Sequence, residues 1–169
     1  MAVILNTTRS ADLSLSVAED IYNRLTKPKS ETNSQMAVLI RCLRGESPID
    51  LAPDWPMSVC LRADPYTDAL QCVGWVSVTE WDRCLALQGF VDPDYRSKGL
   101  ATSLTSVLLV DGVIHPEVPV AVFADEFVRI AMRLGFKDIR RYRVTDDGWL
   151  RSERLFDEEP QTAGRSGQE

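Results

Sequence analysis

The sequence holds a single histidine, His115, in 169 residues, and four cysteines with no Cys-x-x-Cys pair. A zinc site would have to gather ligands from distant segments, so no metal centre is expected. Cys42, Cys60, Cys72 and Cys84 read instead as reduced, mostly buried small apolar residues of a cytoplasmic protein. No uncharged run reaches the ~18–20 residues of a bilayer span. The longest, 99–110, is interrupted by Thr and Ser and reads as a buried helix, so no membrane partner is expected. The opening Met-Ala-Val-Ile-Leu-Asn is a short apolar strand without the basic leader and longer apolar core of a signal peptide. Positive charge is not in excess either: 19 Lys and Arg face 25 Asp and Glu, a net −6. Half of that excess lies in 157–169, where Asp157, Glu158, Glu159 and Glu169 stand against Arg165. Such a balance argues against broad attraction to nucleic acid, though a local basic patch stays open.

What is there suits one globular domain: 44% apolar and 26% charged residues, with no internal repeat. The domain is read as 1–156 and the acidic remainder, 157–169, as a disordered tail. A first strand occupies 2–7. Ser16-Val17-Ala18-Glu19 reads as a capping box, with Val17, Ile21 and Leu25 at helical spacing before Pro28. After a polar loop, 27–34, the residues Met36, Leu39, Ile40 and Leu43 predict a second helix that ends at Gly45. Pro48, Pro53 and Pro56 forbid a regular element over 46–56. Trp55 among them is either a plug at the core edge or one wall of a substrate pocket.

Strands follow at 57–63, 69–79 and 84–91, joined by turns at 64–68 and 80–83 into an antiparallel meander. Leu100, Leu104, Val107 and Leu108 share a face of a helix over 99–110. Val118–Phe123 is a short strand. Asp125 can cap a helix striped by Phe127, Ile130, Ala131 and Leu134, which ends at Gly135. Strands at 139–144 and 149–156 flank the hairpin signal Asp147-Gly148. The order β-α-α-β-β-β-α-β-α-β-β implies an α/β (α+β) fold, a mixed sheet of about seven strands covered by about four helices.

The informative stretch runs from Gln88 to Ala101, Gln-Gly-Phe-Val-Asp-Pro-Asp-Tyr-Arg-Ser-Lys-Gly-Leu-Ala. A strand ends, a tight basic turn follows, and a helix begins at once. The unpaired N–H groups and positive dipole end of a first helical turn form a phosphate site without any dedicated side chain. Gly99 permits close approach and an unusual backbone angle, and Ala101 keeps the next wall low. Arg96 and Lys98 add charge, and Thr102 and Ser103 add hydroxyls. The glycine spacing fits neither a P-loop nor a dinucleotide fingerprint.

Val91, Pro93, Arg96, Gly99 and Ala101 reproduce Val-x-Pro followed by Arg/Gln-x-x-Gly-x-Gly/Ala, and Leu134-Gly135-Phe136 closes a helix some thirty-five residues later. In these features and in element order the chain resembles the GNAT superfamily of acyl-CoA-dependent N-acyltransferases. The resemblance implies a GNAT-like, mostly antiparallel sheet and acetyl-CoA as co-substrate. Its pyrophosphate would lie on Arg96, Ser97, Lys98, Gly99, Leu100, Ala101 and Thr102, and its pantetheine arm on the backbone of Phe90 and Val91. The backbone near Gly89 and Phe90, with Gly89 as a bulge residue, would meet the oxyanion as an amine attacks. The strand would splay there from its neighbour at 120–123.

The match is incomplete. The family's leaving-group Tyr and helix-opening Asn are replaced by Ala131 and by Ala124-Asp125-Glu126, and 84–91 contains no acid. Tyr142 and Glu80 are the nominated substitutes for acid and base, with Asp82 beside Glu80. His115 reads as a loop residue, and Arg140, Arg141 and Arg143 read as a solvated edge. The expected activity is acetyl transfer to a primary amine on a small molecule or a protein. The alternative is a non-catalytic module of this fold that binds a protein partner, with or without CoA. Relatives often dimerise through their last strands, so a homodimer is compatible with either.

Overall fold

The computed structural model describes residues 3–24, 31–144 and 150–155. Its strands are β1 (Val3–Arg9), β2 (Pro56–Ala63), β3 (Leu70–Trp81), β4 (Cys84–Val91), β5 (Val120–Val122), β6 (Ile139–Val144) and β7 (Leu150–Leu155). They form one sheet in chain order. Neighbours from β1 to β4 are antiparallel, β4–β5 and β5–β6 are parallel, and β6–β7 is antiparallel. The helices are α1 (Leu15–Arg24), α2 (Glu31–Leu43), α3 (Leu100–Val110) and α4 (Asp125–Arg133). This is the mixed, mostly antiparallel architecture expected from the sequence. No helix among the described residues is long and apolar enough to cross a membrane.

Side-chain alternation sorts the core onto two faces. Val76, Val78, Leu87, Val120, Val122 and Ile139 pack with Leu104 and Leu108 of α3 and Phe127, Ile130 and Ala131 of α4. On the other face Met57, Val59, Cys72 and Trp75 pack with α1 and α2. Cys72 and Trp75 share a face although three residues apart. The β2–β3 register shifts between Cys60 and Leu61, which adds one residue to β3 and turns it over. Each fully buried Leu of α3 contributes about 1.5–3 kcal/mol. Beyond α1 and α2, that second face carries a small cluster of Cys84, Ala86, Ala121 and Tyr142 under Trp81 and Phe123.

Several local expectations are corrected. Ser14, not Ser16, opens α1: its Oγ accepts the Val17 N–H at 3.3 Å. Leu13, 7% exposed, anchors the chain just before it and fixes the earlier start. The polar first turn of α2 precedes its apolar stripe, so periodicity placed the start too late. The proline-rich connector contains a short 3-10 turn, Ile49–Leu51, and Pro56 begins β2, where a missing N–H does no harm. Trp55 is 6% exposed and packed in the core, while also lining a cavity of about 530 Å³ with Gln35 and Glu80. Its burial bears out the plug at the core edge. Glu80 and Trp81 belong to β3, and the turn is only Asp82 and Arg83, at φ 45 and 62. Ala124 is the N-cap of α4 and Asp125 its first helical residue.

The arginines of β6 are not a solvated edge. The strand lies inside the sheet, and the side chains of Arg140 and Arg141, 24% and 16% exposed, pair with Asp138 and Asp125. Only Arg143 is largely in water. The 145–149 hairpin turn, Pro28 and the tail at 157–169 lie outside the described residues.

Candidate functional site

The site begins where β4 loses a neighbour. Leu85, Ala86 and Leu87 pair with Val120, Ala121 and Val122 of β5. From Gln88 to Val91, β4 keeps its pairing with β3 and has no partner on β5. The two parallel strands thus part after Leu87. The β3–β4 register runs unbroken through Gly89, so the expected bulge is absent there. Crowding accounts for the glycine instead. A Cβ at Gly89 would stand 2.6 Å from the Trp75 carbonyl oxygen and 2.7 Å from Cζ of Phe127.

β4 then feeds a tight reversal. The Asp92 carboxylate accepts the Asp94 N–H at 3.0 Å and starts a 3-10 turn, Pro93–Tyr95. Ser97 and Gly99 take left-handed angles, φ 62 and 77, which swing the chain into α3. The first intrahelical bond runs from the Ser103 N–H to the Gly99 carbonyl. The N–H groups of Leu100, Ala101 and Thr102 precede it and belong to the open end of the helix. A Cβ on Gly99 would meet nothing within 4 Å, because the turn borders an open cavity.

That cavity, about 340 Å³, has Val91, Tyr95, Arg96, Ser97 and Gly99 to Thr102 on one side. Its other wall is α4, through Glu126, Arg129, Ile130 and Arg133. Arg96 braces the turn: its Nε donates to the Val91 carbonyl at 2.9 Å and its guanidinium lies 5.7 Å over the Phe90 ring. Lys98 sits 5.7 Å over the Tyr95 ring, and it does not line the cavity. Behind the turn, Arg24 of α1 binds Asp92 and Asp20, and Asp20 accepts the Cys72 N–H at 2.8 Å. Burial works to lower the Arg24 pKa, but the bonds to Asp20 and Asp92 outweigh it and raise it. The guanidinium stays charged and ties α1 to the start of the turn.

The residues expected to hold phosphate are thus gathered, apart from Lys98, while the nominated acid and base are not. Glu80 pairs with Leu85, near the start of β4 and far along that strand from the turn at its end. Tyr142 is 6% exposed and packed edge-on against Trp81, with ring centroids 6.2 Å apart. Its hydroxyl donates to Asp82 at 2.9 Å. Burial first, and then that bond, raise the phenol pKa, so it stays protonated through the neutral range. His115 accepts the Glu117 N–H through Nδ1 in a loop. Burial pushes the Cys72 thiol up to about 12, far from a thiolate. The sequence reading missed Arg129 and Arg133. Four residues apart and off the apolar stripe of α4, they look like a solvated helix face, and only the fold turns them toward α3.

No protein-family model matches the chain, and no curated protein matches it. Solved structures do. One is yncA of Salmonella typhimurium, provisionally classed as an acetyltransferase and solved with its cofactor acetyl-CoA. It is 17% identical at a TM-score of 0.52, over 94% of this chain and 96% of that one. Another is a protein of Acinetobacter baylyi with the same provisional classification, 15% identical at a TM-score of 0.49 over 91% and 92% of the two chains. The likeness to the Salmonella protein shows that the two chains share a fold.

Proposed function

We propose that this protein is a GNAT-type acyltransferase that moves an acetyl group from acetyl-CoA to a primary amine. The observation that carries the reading is the continuous path from the parted strands, β4 and β5, through the left-handed turn to the open end of α3. The residues suit the cofactor: a cavity lies against Gly99, and the turn offers backbone N–H groups and Arg96 to a pyrophosphate. Phe90 and Val91, on the stretch of β4 without a β5 partner, would hold the pantetheine arm through main-chain bonds. Acetyl-CoA when bound supplies an acyl group already activated as a thioester. A backbone N–H near Gly89 and Phe90 would meet negative charge developing on the acyl oxygen, an interaction often worth ~3 kcal/mol.

No side chain of the turn cavity besides Glu126 is a carboxylate, and none is a histidine. Tyr142 is protonated but committed to Asp82, and Glu80 lies near the other end of β4. The chain's contribution is then proximity and orientation, which can lower a barrier by up to ~7–11 kcal/mol, with protons exchanged through solvent. Ala131 and Ala124, where the resembling family carries Tyr and Asn, favour a second reading, a module that binds CoA and a partner without turnover.

The test is thermal unfolding with and without acetyl-CoA, beside a Gly99→Trp variant. At one hundred times its dissociation constant a ligand adds ~2.7 kcal/mol. For a domain of this size that is roughly 5–10 °C in Tm. The expected result is such a shift in the wild type and none in the variant. No shift in a well-folded wild type would overturn the enzyme and the CoA-binding module, and leave a module that binds a partner without CoA. Turnover across a panel of primary amines, small molecules and peptides, then separates enzyme from module.

A further inference from the structure

The sheet has two edges, and they are built differently. β7, Leu-Arg-Ser-Glu-Arg-Leu, carries three charges in six residues, a device by which natural sheets keep an edge from pairing with another chain. β1, Val-Ile-Leu-Asn-Thr-Thr-Arg, has no charge before Arg9, whose guanidinium is held by Asp54. It contains no proline, and its pairing with β2 runs without a bulge. Among the described residues β1 pairs with β2 alone, and alternate residues point N–H and C=O away from that partner. Apolar side chains gather at this edge: Val3 and Ile4 are 48% and 55% exposed, and Val110, the last residue of α3, is 82% exposed. The Thr7 hydroxyl donates to Asp111, which brings Val110 beside β1.

We infer that β1 is a dimer interface, along which a second copy of this chain pairs antiparallel about a two-fold axis at Leu5 to make one continuous sheet. The strand's self-complementarity argues for a second copy rather than another protein. An axis at Leu5 sets Leu5 against Leu5, and Val3 against Thr7 of the other copy. Val3, Leu5 and Thr7 share the α3 face, since side chains alternate along a strand and Leu5 packs into the core beneath α3. Thr7 then brings Val110 of one copy to Val3 of the other, twice by symmetry. On the opposite face Ile4 meets Asn6, and over 3–7 no charge faces a like charge. A strand edge with one helix end falls near the ~1,000 Å² that a stable interface needs, so the association belongs in the micromolar range. The inference is independent of the cofactor reading, because β1 lies three strands from β4.

The experiment is sedimentation velocity of the full chain from about 1 to 100 μM, the range that brackets a micromolar dissociation constant. The wild type is expected to pass from monomer to dimer across it. Ile4→Lys/Val110→Lys should stay monomeric throughout, because lysine blunts a strand edge. Met132→Lys, which removes an exposed apolar side chain from α4 instead, should dimerise like the wild type. Each variant is checked for the wild-type Tm at the lowest concentration, where all are monomers. Oxidation at the highest concentration then reads the register. Leu5→Cys should form a disulfide-linked dimer, since opposed Cα atoms stand within the ~4.4–6.8 Å that a disulfide spans. Ile4→Cys, offset from its counterpart by two positions, should not, and the four native cysteines are buried. A wild type that is monomeric at every concentration overturns the inference. So does a dimer that survives the lysine pair, or one that leaves Leu5→Cys unlinked.

Discussion

Gly89 and Gly99 lie ten residues apart and are glycine for opposite reasons. Gly99 needs its left-handed angle, with open space where a side chain would go. Gly89 has ordinary strand geometry and no room, because the Trp75 carbonyl and the Phe127 ring close on it. The motif around Gly99 made its role legible in the sequence, since a strand, a turn and a helix follow one another at once. Nothing near Gly89 in the chain announces Phe127, which arrives from α4, so a bulge was the natural but mistaken inference. The crowding has a measurable consequence. Gly89→Ala should cost about 1–3 kcal/mol in urea denaturation, as overpacking does. Phe127→Leu in the same chain should recover part of that loss, so the double variant is more stable than the two single effects added together. It recovers only part, because the contact with the Trp75 carbonyl remains. Strict additivity would mean that Phe127 is not what excludes a side chain at Gly89.

The sequence marks the elements around the turn unevenly, for local reasons. The bounds of β4 and β6 are legible to the residue, because turn signals in the sequence stand on both sides of each strand. α2 was started late because its first turn, from Glu31, has no apolar residue to mark it. β3 was cut short at Thr79 because Glu80 and Asp82 look like turn residues, whereas the hairpin needs only two. What could not be read at all is how α1 meets the end of β4. Asp92 serves both: it caps the 3-10 turn through Asp94 and holds Arg24. Asparagine can still cap but cannot pair with a cation. Asp92→Asn should therefore lose about 1–2 kcal/mol, more than a surface pair and less than a fully buried one. Asp92→Ala should lose roughly a further ~1 kcal/mol with the cap. Chemical denaturation of the three proteins decides: equal losses in the two variants would assign the whole effect to the ion pair.

At the scale of the molecule the sheet has a seam. β1 to β4 form an antiparallel block and β5 to β7 a second, mixed block in which β5–β6 is parallel and β6–β7 antiparallel, joined through three paired positions of β4 and β5. The element order made the sheet legible, but not how short this junction is. The apolar run from Val118 to Phe123 looked like a six-residue strand. Only Val120–Val122 pairs, because Pro119 contributes a carbonyl and no N–H, and Phe123 turns into the cluster with Trp81 and Tyr142. The turn cavity spans the seam, with the α3 turn of the first block facing α4, which follows the first strand of the second. A ligand held on both walls links the two blocks, and opening them must then break its contacts. Amide exchange should report this linkage. Acetyl-CoA is expected to slow exchange at Leu100 to Thr102 and along α4 together, and to leave β1 and β2 unchanged. In an Arg129→Gln/Arg133→Gln protein, saturated with ligand, protection should persist at the turn and fall in α4. If the wild type gains protection at the turn alone, the ligand rests on one block and the seam opens without regard to it.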